Sequence, residues 1–299
     1  MDVLVSGSHG LVGSALATAL ASDGHRMVRL VRGGSTGGDL VAWDPQAATI
    51  DAAALEGVDA AVHLAGEGIG ERRWSPEQKA RILESRTAGT SLLAGALAGL
   101  ARPPRVLVSA SAVGYYGSRG DEVLDERSTP GEGFLSEVCR AWEAAAAPAA
   151  EAGIRTVLLR SGVVLSPVGG ALRRMLLPFR LGLGGRQGSG RQWMPWISLA
   201  DEVGAIVHAL GSGDLSGPVN AVAPNPVRNS EFARTLGKVL HRPTILRTPL
   251  LPLKLRFGAE LVDELLMASQ RVAPMQLQES GYVFEHPTVE AALRDLLGR

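Results

Sequence analysis

The residues able to do chemistry in this sequence are concentrated in a glycine turn and in a serine–tyrosine cluster. The turn is GSHGLVG, Gly7 to Gly13, between the apolar run VLV (Val3–Val5) and a helical pattern, LVGSALATALASDG, that ends at Gly24. Glycines at these positions let the backbone turn sharply and approach a pyrophosphate. A helix starting at about Leu11 presents free N–H groups and a positive dipole end to it. The pattern predicts a dinucleotide held by Gly7, Ser8, His9, Gly10, Leu11, Val12 and Gly13. No Gly-Lys-Ser/Thr follows, which excludes the phosphate loop of nucleoside triphosphatases. The cluster is VSASAVGYYG, Val108 to Gly117, where Ser109, Ser111 and Tyr116 bring hydroxyls to the end of another apolar run.

The nature of the dinucleotide is read from the next apolar run, MVRLV (Met27–Val31), which ends in Arg32. An acidic residue there would hold the ribose hydroxyls of NAD. A guanidinium suits a 2′-phosphate instead, so Arg32 points to NADP(H), with a solvated surface arginine as the bland alternative. Arg29 alternates onto the opposite face. Further along, GSGRQWMPW joins flexible glycines to a guanidinium, an amide and two indoles. Arg191, Gln192 and Trp193 are the expected substrate contacts, and Trp196 is expected in the core. Asp201 and Glu202 read as acids opening a helix rather than as a catalytic pair. The six histidines show no ligand spacing, so no metal site is expected, and no Gly-x-Ser-x-Gly elbow marks a hydrolase.

These groups need a scaffold, and the apolar runs supply one. Val3–Val5, Met27–Val31, Ala60–Ala65, Arg105–Ser111 and Arg155–Gly162 read as strands, continuously apolar as in a parallel sheet covered on both faces. Helical patterns separate them, one from about Pro76 to Leu100 and one over FLSEVCRAWEAAAAPAAEAG. The fold class is therefore α/β, a Rossmann-like doubly wound parallel sheet. After about Leu165 the grain changes: GGALRRMLLPFRLGLGGRQGSGRQWMPWI lacks a clean period, and helical patterns follow at 199–210, 229–240, 251–269 and 289–297. The expected division is a nucleotide-binding domain over residues 1–165, with later chain crossing back to it, and a smaller, mostly helical lobe over 166–299. Lysine plus arginine equals aspartate plus glutamate, 30 each, which gives no electrostatic reason for nucleic acid or a membrane surface as a partner. One cysteine, Cys139, excludes an internal disulfide. With neither a signal-peptide pattern nor a long apolar run, the expected location is the cytoplasm.

GSHGLVG, HLAGE (His63–Glu67), VSASAVGYYG and LRSGVVL together resemble an extended short-chain dehydrogenase/reductase. More narrowly, RWSPEQKARILESR, FLSEVCRAWEAAA, GSGRQWMPWI and GPVNAVAPNPVRNSEFA resemble one atypical branch, labelled epimerase family protein, that carries a C-terminal domain of unknown function. The resemblance covers essentially the whole chain. It implies an NADP preference, cofactor contacts from Leu64, Ala65, Gly66, Arg86 and Ser109, and a serine role for Ser109 or Ser111. It also implies a Tyr-x-x-x-Lys pair on the helix after the fourth strand, where a lysine lowers the phenol's pKa so that it exchanges protons near neutrality. Counting back from Glu143, the two slots hold Leu135 and Cys139. Leu135 cannot transfer a proton, and Cys139 reads as a buried structural thiol. Tyr116, which matches the family's Tyr-Gly in the fourth-strand loop, is the expected surrogate acid or substrate contact, against a packed aromatic. The resulting expectation is an NADP(H)-binding oxidoreductase or epimerase-like enzyme acting on a small polar molecule, nucleotide- or sugar-linked in one version. A non-catalytic NADP(H) sensor is the alternative, and a homodimer stays open.

Overall fold

The computed structural model describes residues 1–34 and 36–299. Its centre is an eight-stranded sheet made of β1 (Asp2–Ser6), β2 (Arg26–Arg32), β3 (Leu40–Asp44), β4 (Thr49–Ile50), β5 (Ala60–His63), β6 (Val106–Ala112), β7 (Arg155–Ser161) and β8 (Gly217–Ala221). The spatial order is β8-β7-β6-β5-β1-β2-β3-β4, parallel throughout except where β4 pairs antiparallel with β3. Strands β1, β5 and β6 are buried on both faces, with Val3, Leu4, Val5, Ala60, Ala61, Val62, Leu107 and Val108 all at 2% exposure or less. That is why their sequences run apolar without alternation. The chain leaves β1 toward β2 on one side and later returns to β5 on the other. This reversal opens a crevice at the carboxyl ends of the strands, where such folds bind ligands.

The crossovers are α1 (Leu11–Ser22), α2 (Pro76–Ala98) and α3 (Phe134–Ala144). Ser75 caps α2 by accepting the N–H of Gln78, with Pro76 at the first helical position. The helix predicted over 134–153 breaks after Ala144, and a short helix, Ala147–Glu151, follows. Pro148 has no N–H to donate to Ala144 and its ring crowds the preceding turn. The segment that showed no period forms α4 (Gly170–Arg180), with Leu172, Leu176 and Phe179 buried one turn apart and Pro178 inside the helix. Next come α5 (Leu199–Gly211) and α6 (Asn229–Leu240), while the predicted 251–269 helix splits at Gly258, whose φ is +92°. Three strands of this sheet, β3, β4 and β8, have no counterpart in the sequence reading. β8 is GPVNA, whose composition favours a turn, and its pairing with β7 makes it a strand. A second core, around Leu172, Trp196, Phe232, Leu236 and Leu293, joins α4 and α6 to the C-terminal helix Val289–Leu296. Among the described residues, no helix is long and apolar enough to cross a membrane.

Candidate active site

The glycine turn sits at the carboxyl end of β1. A Cβ on Gly7, where φ is +69°, would lie 2.8 Å from the Leu64 carbonyl carbon, and one on Gly13 would lie 2.3 Å from the Gly7 carbonyl oxygen. Only glycine fits at either place. No side chain caps α1, whose N-cap is Gly10, so the N–H groups of its first turn are left for a ligand. Ser6 fixes the neighbouring strand end: its Oγ accepts the N–H groups of Leu64 (3.1 Å) and Ala65 (3.3 Å) and lies 2.7 Å from His63 Nδ1. With both lone pairs used, the serine proton goes to Nδ1. Burial holds the His63 imidazole down at about 4, so it is neutral. Ser8 is buried, and Leu11 packs on the backbone of Gly169 and Gly170. Arg32 is exposed at the end of β2, with no ion-pair partner among the described residues. A backbone-only turn, an open helix start and a free guanidinium fit a dinucleotide that carries a terminal phosphate.

Beyond the turn lies a cavity of about 290 Å³ at the carboxyl ends of β6 and β7. Its walls are mainly apolar: Leu135, Val138, Cys139 and Trp142 from α3, Val113 and Gly114 after β6, Met175 from α4, Trp193 and Met194, and Leu265 and Leu266 from the C-terminal region. The α3 face where a tyrosine and lysine would stand is therefore a hydrophobic wall. Burial pushes the Cys139 thiol up to about 12, with Glu143 adding to the effect against the opposing charge of Arg86. It is inert at neutral pH, as a structural thiol.

Arg86 enters from α2 and covers this face. Its guanidinium lies 4.9 Å from the Trp142 ring centre, beside Gly66, and its Nη1 donates to the Ile82 carbonyl at 3.1 Å. No carboxylate pairs with it among the described residues. Burial lowers its pKa, with Cys139 and Glu67 working in the other direction. A half-buried cation without a counter-ion is costly unless a ligand completes it.

The structure divides the hydroxyls predicted from sequence. Ser111 Oγ donates to Glu143 Oε1 at 2.7 Å, and Glu143 is clamped by Arg160 through two further bonds of 2.8 Å. Ser109 is buried with an unpartnered Oγ and does not line the cavity. Tyr116, the expected surrogate acid or substrate contact, is not among the residues that line the cavity. It is 0% exposed, donates to Asn220 Oδ1 at 2.7 Å and accepts from Arg160 Nη1 at 3.0 Å. Burial raises its phenol to about 12 against the pull of Arg160 and Asn220. Arg191 is likewise outside: its side chain is exposed and its carbonyl accepts from Arg228.

Gln192 and Trp193 do line the cavity. The Gln192 amide nitrogen is spent on the carbonyls of Gln187 (3.3 Å) and Leu266 (3.2 Å), which leaves Oε1 as a buried acceptor without a partner. Trp193 is pinned by its N–H to Asp121 at 2.8 Å, between the guanidinium groups of Arg228 and Arg271.

The hydroxyl that sequence reasoning passed over is Ser161, at the end of β7. Among the described lining residues it is the one hydroxyl-bearing side chain. Its Oγ bonds to Glu202 Oε1 at 2.5 Å, and Glu202 is fully enclosed at the start of α5 with Oε2 unpartnered. Burial raises that carboxyl to about 7, with the Ser161 bond opposing it. A serine on the wall backed by a carboxyl that titrates near neutrality can exchange a proton with a bound molecule. The signal lay in LRSGVVL, but only the pairing of β6 with β7 puts Ser161 beside Ala112.

Residues 3–221 match the NAD dependent epimerase/dehydratase family, and residues 248–296 match a domain of unknown function, DUF1731. The epimerase family protein Mb2239 of Mycobacterium bovis is 46% identical over 293 residues, covering 97% of this chain and 96% of its own. The epimerase family protein SDR39U1 of Homo sapiens is 39% identical over 300 residues, covering 99% and 100%. A crystal structure of the human protein with NADPH superposes with a TM-score of 0.91 at 38% identity, over 100% of both chains.

Proposed function

The chain belongs to the NAD dependent epimerase/dehydratase family, and on that premise we propose that it is an NADP(H)-dependent oxidoreductase for a compact, largely apolar carbonyl compound. The observation that carries this is the lone wall hydroxyl, Ser161, backed by Glu202 in an apolar cavity. The glycine turn and the start of α1 hold the pyrophosphate, and Arg32 takes the 2′-phosphate. NADPH bound to the human relative supports that choice. When bound there, NADPH would supply a hydride for the carbonyl carbon. Ser161 gives its hydroxyl proton to the carbonyl oxygen and regains one from the Glu202 carboxyl, which is left as a carboxylate until a proton returns to it through Ser161 from water entering the emptied cavity. Arg86 stabilises the negative charge that develops on that oxygen, and Gln192 Oε1 accepts a donor from the substrate and orients it.

The walls shift the substrate away from the sugar-linked molecule suggested by the wider family. A sugar needs many hydrogen-bond partners, and most polar groups of the wall already bond to protein: Glu264 accepts the N–H groups of Phe134 and Leu135, and Gln270 donates to the Val113 carbonyl. The test is fluorescence titration with NADPH, then NADPH oxidation over a panel of aliphatic and aromatic aldehydes and ketones beside nucleotide sugars. Oxidation by apolar carbonyls supports the reading, and oxidation or turnover confined to nucleotide sugars sinks it. Binding without any oxidation favours a non-catalytic NADPH sensor, the reading that Leu135 and Cys139 would otherwise recommend.

A further inference from the structure

Outside the cavity lining, the loop before the C-terminal helix brings three ligand-bearing side chains together. His286 Nε2, Glu285 Oε1 and Asp295 Oδ2 all lie within 4.8 Å of one another. His286 is 5% exposed, whereas the two carboxylates reach solvent. The imidazole is aimed by a fixed hydrogen-bond chain. Ser198 Oγ has one proton, which it donates to Asp201 Oδ2 at 2.8 Å, and it accepts the Asp201 N–H at 3.0 Å. His286 Nδ1, 3.1 Å from the same oxygen, must therefore be the donor. In the neutral ring this leaves Nε2 as a bare lone pair, and it makes no hydrogen bond among the described residues. It faces two carboxylates that are also acceptors, so three acceptors meet around one point, an arrangement that a cation between them would complete.

Two cations could serve, and the distances separate them. A proton on Nε2 would give charge-assisted bonds of roughly 2.7–2.9 Å. The observed separations are 3.4 Å to Asp295 and 3.9 Å to Glu285. Ligand atoms bound about 2.1 Å from a tetrahedral zinc lie about 3.4 Å apart. The spacing thus leaves room for an ion and is too wide for a shared proton. Asp295 also lies in the last turn of the helix Val289–Leu296, where the negative dipole end disfavours a carboxylate and favours a cation beside it. The Ser198–Asp201 pair behind Nδ1 is the kind of support that orients a metal-bound imidazole. Asp201 holds the loop as well, accepting the N–H groups of Glu285 at 2.7 Å and His286 at 3.0 Å.

We propose that Glu285, His286 and Asp295 bind one Zn²⁺, completed by water, which staples the C-terminal helix to the start of α5. The ligand set, one imidazole and two carboxylates, suits zinc better than calcium or magnesium, which take oxygen donors alone. The experiment uses the full chain, stripped with a chelator and titrated with Zn²⁺ alone by calorimetry. The expected result is one equivalent per chain, with affinity at least tenfold weaker in Asp295→Asn and lost in His286→Ala. Asp295 is exposed, so its variant should fold, and its melting temperature should rise clearly less with zinc than the wild type's. Absence of zinc binding to the wild type overturns the proposal. So does binding unchanged in both variants, or a melting temperature equally responsive to zinc in wild type and Asp295→Asn.

Discussion

The two ends of the crevice are built on opposite principles. At the glycine turn the contacts come from backbone: no side chain caps α1, and a Cβ on Gly7 or Gly13 would strike main-chain atoms. Such a site tolerates almost no change. At the α3 face the contacts come from side chains, and there the tyrosine and lysine slots hold Leu135 and Cys139, while Arg86, Gln192 and Ser161 reach the same cavity from other elements. A backbone site is conserved as geometry. A side-chain site can be rebuilt from whichever neighbouring elements reach it. On the proposed function, the difference makes cofactor binding and proton transfer separable, so that each can be broken without the other.

Gly7→Ala tests the first half most severely. A left-handed backbone costs a non-glycine residue ~1–2 kcal/mol, and the clash with Leu64 adds ~1–3 kcal/mol. Relief requires the turn to move away from the pyrophosphate, so NADPH affinity should fall roughly 100-fold or more in fluorescence titration. A variant binding like wild type would show that the turn is not the cofactor site.

Glu202 gives the next largest effect. Its pKa is raised from 4.5 to about 7, so as pH rises the unfolded chain releases this proton before the folded one does. Its contribution is fully present below about 4.5 and declines until about 7, by on the order of 3 kcal/mol. Glu202→Gln removes that slope. Denaturant melts across this range should show the variant gaining on wild type toward high pH, and parallel curves would place the titration elsewhere.

Tyr116→Phe separates support from catalysis. It strips Asn220 and Arg160 of a buried partner and should cost about 2 kcal/mol of stability, while the turnover of the remaining folded protein stays unchanged. Loss of turnover would restore the tyrosine to the mechanism. The smallest effect is expected from Arg32→Ala, whose exposed guanidinium contributes to selectivity alone. The preference for NADPH over NADH should drop about tenfold in paired titrations, and no change would assign the 2′-phosphate to other residues.

How much of this was legible follows from the range of each signal. The glycine turn, five strands and most helix starts are local patterns and were read directly, as was the inert character of Cys139. α4 was hidden because Pro178 masked a sound four-residue spacing, and β8 because its composition favours a turn. Ser161 is hidden in sequence, since nothing in LRSGVVL tells that Glu202, 41 residues on, closes behind it. Tyr116 stays ambiguous in sequence because its neighbours there cannot show that Asn220 and Arg160 enclose its hydroxyl. The cluster at His286 escaped for a related reason: its carboxylates come from the adjacent residue and from the far end of a helix, a spacing that matches no common ligand motif.

The central claim, that proton transfer has moved from α3 to β7 while the cofactor site stands, is tested most directly on Ser161→Ala. NADPH affinity and the rate of NADPH oxidation by an apolar ketone should be measured on the same preparation. The account predicts unchanged affinity with a rate lower by about 100-fold or more, the usual share of a positioned proton donor. An undiminished rate, or a loss of affinity that accounts for the whole decline, would contradict it.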